Sequence, residues 1–90
     1  MKYLKRKHFV DILILLSKSP KSFNELLKTL NAYPDTLNRR IKEMVLLGLI
    51  IQIEEGGKIK YRLTNKGKRI IPLLEELLRI MDEIEKILKS

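Results

Sequence analysis

Ninety residues make one domain, and a 44% hydrophobic content supplies a core but leaves little to line a deep catalytic cleft. With no cysteine and a single histidine, the chain has too few ligands for disulfide frameworks, zinc fingers or thiolate metal sensors, and it is expected to hold no metal and no cofactor. The formal charge of +8 is uneven: residues 1–70 carry 16 Lys/Arg against 6 Asp/Glu (+10) and residues 71–90 carry 3 against 5 (−2), which suggests a polyanion partner for the first part and a protein partner for the second.

Phe9, Ile12, Leu13 and Leu16 recur at helical spacing, which predicts a first helix from Lys5 to Ser17, ended by Ser17-Lys18-Ser19-Pro20. Ser22 followed by Glu25 is a capping-box pattern, so a second helix should run to about Leu30 with Phe23, Leu26, Leu27 and Leu30 inward. Asn31-Ala32-Tyr33 reads as a turn. Pro34 suits the first helical position, where its missing N–H costs nothing, and Asp35 favours the positive helix start, giving a third helix to about Leu47. Gly48 can close that helix in the left-handed conformation. Leu49 to Ile53 and Lys58 to Leu63 then read as strands of a hairpin around Glu54-Glu55-Gly56-Gly57. Thr64 or Asn65 can cap a last helix, and Pro72 should mark its first turn or a kink.

The third helix carries the most information. Leu37, Ile41 and Met44 fall on one side, which places Arg39 almost opposite, Asp35 and Lys42 close to it, and Thr36, Asn38 and Glu43 on the flanks. Arg can hold guanine O6 and N7, Asn adenine N6 and N7, and Thr a thymine methyl group or a phosphate. An ordinary solvated helix face is the plain alternative. In the second strand Ile59, Tyr61 and Leu63 alternate with Lys58, Lys60 and Arg62, so one face should pack and the other present a row of cations. That cationic edge could follow phosphates or simply protect an edge strand. Glu54 and Glu55 at the turn argue against deep insertion between phosphates. Lys2, Lys5, Arg6 and Lys7 could clamp a phosphate, but a solvated tail is the favoured reading, and His8 reads as a helix-surface residue.

In the last helix Ile70, Leu74, Leu77, Met81, Ile84 and Leu88 follow a 4-3-4-3-4 spacing, widened by Leu73, Ile80 and Ile87 and further by Ile71 and Leu78. So broad a stripe calls for burial on two fronts. One side would pack on the body and the other on a second copy, with Leu74, Leu77, Met81, Ile84 and Leu88 at the dimer interface; a monomer whose helix folds wholly back is the alternative. The apolar runs are far shorter than the roughly 20 residues of a membrane span, and no secretory signal is visible, so no membrane partner and cytoplasmic residence are expected. No nucleophile and base are paired by a recognisable motif, so no enzyme is expected.

These stretches resemble the winged helix-turn-helix transcription regulators of prokaryotes, closest to the HxlR-type and the MarR/PadR-like groups. Ser22 to Leu27 is similar to the start of their second helix, Thr36 to Met44 to their recognition helix, Gly48-Leu49-Ile50 to the step into the wing, and Tyr61 to Gly67 to the junction that follows it. The resemblance covers about residues 9–78. It implies a mainly α fold with a small β-hairpin, a winged helix domain over 1–68 and a dimerisation helix over 69–90 in the same compact unit. It also implies a homodimeric DNA-binding regulator with Tyr33, Thr36, Asn38, Arg39 and Lys42 facing the major groove, and the expected function is a regulator of double-stranded DNA, more a repressor by occlusion than an activator. HxlR-type regulators often carry a reactive cysteine and a longer basic or proline-bearing wing; this chain has neither, so thiol sensing does not transfer. A protein-interaction adaptor and a nonspecific or RNA-binding module remain the rival readings. A small effector could sit between the last helix and the body, though no polar cluster identifies one.

Overall fold

The computed structural model describes residues 2–90. Its elements run in the order α1 (Phe9–Lys18), α2 (Phe23–Leu30), α3 (Pro34–Leu46), β1 (Ile50–Glu55), β2 (Lys58–Leu63) and α4 (Asn65–Lys89). This is the winged helix arrangement that the sequence predicts.

Local chemistry sets most boundaries. The Ser22 hydroxyl accepts from the Glu25 N–H at 3.1 Å while the Glu25 carboxylate accepts from the Ser22 N–H at 3.0 Å, completing the box that starts α2. Asn31 closes α2 in the left-handed conformation, and Pro34 opens α3 at its first position. Gly48, at φ 76°, turns the chain out of α3 into β1. The hairpin is tighter than expected: Gly56 and Gly57, both at positive φ, make a two-residue turn, so Glu54 and Glu55 belong to β1 and pair with Ile59 and Lys58.

Two other expectations are corrected. The first helix begins at Phe9 rather than Lys5, because His8 lies at φ 67°, outside helical geometry, and serves as its cap. Residues before it form turns, in which the Arg6 N–H donates to the Tyr3 carbonyl and the Phe9 N–H to that of Arg6. Pro72 lies well inside α4 rather than in its first turn, and it denies the Lys68 carbonyl an i+4 donor without ending the helix. Residue 68, the expected boundary between the winged helix domain and the dimerisation helix within one compact unit, lies near the start of α4.

The core joins Phe9, Ile12, Leu13 and Leu16 of α1 to Leu26, to Leu37, Ile41 and Met44 of α3, and to Leu49, Ile50, Leu63 and Leu74. Lys21 adds a further bridge to the sheet: its N–H donates to the Tyr61 carbonyl at 3.1 Å and its carbonyl accepts from the Tyr61 N–H at 2.7 Å. β2 is thus flanked on both sides at Tyr61, and β1 is the outer strand.

Candidate nucleic-acid interface

The apolar side of α3 is buried through Leu37, Ile41 and Met44, and this leaves Asp35, Asn38, Arg39 and Lys42 exposed, with Thr36 half-buried. Tyr33, the residue that precedes Pro34, is 75% exposed. Arg39 and Lys42 take part in no ion pair among the described residues. Asp35, Arg39, Lys42 and Leu46 follow a 4-3-4 spacing and so share one stripe. Leu46 is 88% exposed, an apolar member that the sequence reading passed over. Its seven-residue offset from Arg39 was the available signal.

Glu43 does not join the outward face. Its carboxylate lies 3.1 Å from Arg6 and 3.3 Å from Arg40, and the Arg40 Nε donates to the Lys7 carbonyl at 2.8 Å. Arg40 is 7% exposed, and a buried guanidinium requires this full set of acceptors. The amino-terminal segment is therefore fastened to α3, which corrects the solvated-tail reading at Arg6, while the side chains of Lys2, Lys5 and Lys7 are exposed as that reading expects. Tyr3 adds to the attachment by stacking on Phe9 and lying beneath Arg6.

The C-terminal end of α3 is held by the start of α4. Lys66 Nζ donates to the Leu47 carbonyl at 2.7 Å, the Thr64 hydroxyl to the Gly48 carbonyl at 2.5 Å, and the Thr64 N–H to the Leu49 carbonyl at 2.9 Å. The Thr64 hydroxyl also accepts from the Gly67 N–H at 3.1 Å, capping α4. Gly67 is packed so closely that a Cβ there would sit 2.3 Å from the Leu49 carbonyl oxygen.

The hairpin keeps the expected alternation, and the register says which groove each face meets. Opposed residues share a face, so Gln52 goes with Tyr61, and Ile51, Ile53 and Glu55 go with Arg62, Lys60 and Lys58. Gln52 and Tyr61 line a groove with Asn38, Lys42, Val45 and Leu46 of α3. Lys58, Lys60 and Arg62 lie together on the opposite face, as the alternation predicts, while their strand is the inner one at Tyr61 and β1 forms the outer edge. Lys58 is exposed beside the turn and makes no ion pair among the described residues. Lys60 is paired with Glu55 at 3.3 Å, with a side chain 23% exposed. Arg62 opens onto a separate groove with Lys18 and Lys68. Ile59, expected to pack, is 56% exposed because the hairpin tip extends beyond the core.

Along α4 the seam divides. Leu74 is 3% exposed and belongs to the chain's own core, which corrects its placement at a dimer interface. Leu77 is half-buried, while Met81, Ile84 and Leu88 are exposed together with Leu73, Ile80 and Ile87. No described helix is long and apolar enough to cross a membrane.

Comparison with known proteins agrees with this geometry. The family model for the N-terminal domain of the methanogenesis regulatory protein FilR1 matches residues 4–82. An uncharacterized HTH-type transcriptional regulator of Methanocaldococcus jannaschii is 35% identical over 80 residues, covering 83% of this chain and 75% of that protein. A possible HxlR family transcriptional factor from Thermoplasma volcanium superposes with a TM-score of 0.79 at 25% identity, over 93% of this chain and 79% of its own. The reduced form of the transcriptional regulator YodB from B. subtilis shares the fold, with a TM-score of 0.75 at 24% identity over 86% of this chain and 80% of its own. The resemblance to HxlR-type regulators read from the residues is thereby borne out. With its capping box, glycine-closed third helix and hairpin in place, the chain belongs to the winged helix-turn-helix transcriptional regulators, in the family of the FilR1 N-terminal domain.

Proposed function

We propose that this protein binds double-stranded DNA as a homodimer and represses transcription by occluding the bound site. The observation that carries the reading is the outward stripe of α3, where Arg39 and Lys42 stand exposed and free of ion pairs among the described residues. A helix held at its middle and at its C-terminal end can place such side chains in a major groove without first ordering itself. Arg39 would read guanine, Asn38 adenine, and Thr36 and Tyr33 would meet thymine methyl groups or phosphates. Lys58 is left out of this set because it points to the face of the hairpin away from α3. Arg62 is left out of this set because it opens onto a different groove, and Lys60 because Glu55 already holds it. Two copies paired through the exposed end of α4 would set their recognition helices about 34 Å apart, one turn of duplex.

Selection of bound fragments from random duplexes, followed by titration over a range of salt, tests the reading. Affinity should fall log-linearly with salt, with a slope of about −0.9 per neutralised phosphate. Arg39→Ala should cost about 1–3 kcal/mol on the selected site and much less on unrelated duplexes. An unchanged ratio of specific to nonspecific affinity would remove Arg39 as a base reader. The exposed Leu46 beside Lys42 favours a second reading, an adaptor that docks an acidic protein segment. Failure to enrich any duplex, with no steep salt dependence, would move the assignment there.

A further inference from the structure

Arg62 has no ion-pair partner among the described residues, and neither do Lys18 and Lys68. They come from α1, β2 and α4, yet all three line one groove of about 430 Å³, within the usual size range of small-molecule sites. The remaining lining includes Leu16, Leu63, Ile71 and Pro72, and no carboxylate is among it. On the rest of the body only Arg6 and Arg40, held by Glu43, and Lys60, held by Glu55, are in ion pairs among the described residues, so what sets these three cations apart is that they share one groove. The face is also the wrong one for a duplex lying on α3, since Arg62 points away from the side of the hairpin that meets that helix.

We propose that this groove binds a small amphipathic organic anion, a carboxylate on an aliphatic or aromatic body. Unpaired cations of one sign gathered over an apolar floor attract an anion and repel one another when it is absent. The floor favours a ligand with an apolar body over inorganic phosphate or a nucleic acid backbone, whose charges would gain nothing from Leu16 and Ile71. A hydroxyl is also to hand. Ser19 accepts a hydrogen bond from Lys21 Nζ, which leaves its own proton to donate. The bound anion would join the end of α1, the base of the hairpin and the start of α4. The inference stands whether or not the duplex reading does.

The probe is 4-phenylbutyrate, with neutral 4-phenylbutanamide as its control, each titrated into the 15N-labelled protein. Saturable shifts should gather at residues 16–20, 62–63 and 68–72, and the amide should bind about tenfold more weakly or less. The double variant Arg62→Gln, Lys68→Gln should lose at least about tenfold in affinity while keeping the wild-type amide spectrum. If that variant misfolds, Lys18→Gln, at an exposed helix end, should give a smaller loss in the same direction. Shifts centred instead on the separate groove that Tyr3 and Leu4 form with Leu73 of α4, equal binding of acid and amide, unchanged affinity in the folded variants, or no saturable shift at millimolar probe would each overturn the proposal.

Discussion

At Gly67 the approach of α4 to the Leu49 backbone, between α3 and β1, is set by the lack of a side chain. Alanine ordinarily gains about 1 kcal/mol over glycine inside a helix. Here its Cβ would lie 2.3 Å from a backbone oxygen that cannot rotate away, so steric cost wins over propensity. Gly67→Ala should lower stability by about 1–3 kcal/mol, read as a drop of several degrees in thermal midpoint. A raised midpoint would mean that the contact between Gly67 and Leu49 yields easily. Arg39 and Arg40 are neighbours with opposite surroundings, and the difference was legible in spacing: Arg40 lies three residues after Leu37 and four before Met44, on the buried flank. Its acceptors were not legible, since the Lys7 carbonyl is brought there by the tertiary fold. The same holds for Lys60 and Arg62. Alternation assigns them to one face, but only the register and the packing of the sheet say which groove that face meets.

Elements whose ends are decided by neighbours in sequence match expectation closely. The box of Ser22 and Glu25, Pro34 at the head of α3 and Gly48 at its foot act within a few residues of themselves. The start of α1 does not, because Arg6 and Tyr3 form contacts that favour turns over another helical turn. The capping box also carries a pH signature. The Ser22 N–H donating to the carboxylate, and next the Ser22 hydroxyl, hold Glu25 below its ordinary value of 4.5. A lowered carboxyl pKa stabilises the fold above the unfolded value, and the gain is lost as pH falls through the lower folded one. Glu25→Gln keeps the neutral geometry of the box and cannot titrate. Thermal melts should show wild type ahead of this variant above about pH 4.5 and the two converging in more acidic buffer. A constant gap would show that the charge plays no part.

Across the whole molecule, charge and apolar surface are segregated. The cations crowd the body, while the far end of α4 leaves Met81, Ile84, Ile87 and Leu88 uncovered. The breadth of that stripe was legible from spacing; how far the body reaches along it was not, and the body stops covering the helix beyond Leu77. At about 25 cal/mol per Å², burying even a few hundred Å² of such surface favours self-association strongly. Sedimentation should give twice the chain mass for wild type and the single mass for Ile84→Glu, Ile87→Glu, with helical content retained because both side chains are exposed. Identical masses for the two proteins would remove the dimer.

Because α4 is unbroken from its Thr64 cap to Lys89, its far end is geared to the recognition helix rather than tethered to it. One residue inserted after Glu75 would advance everything beyond by only about 1.5 Å but swing it by about 100°. In a pair joined through that end, rotational phase more than length would decide whether both copies still engage the same side of one duplex.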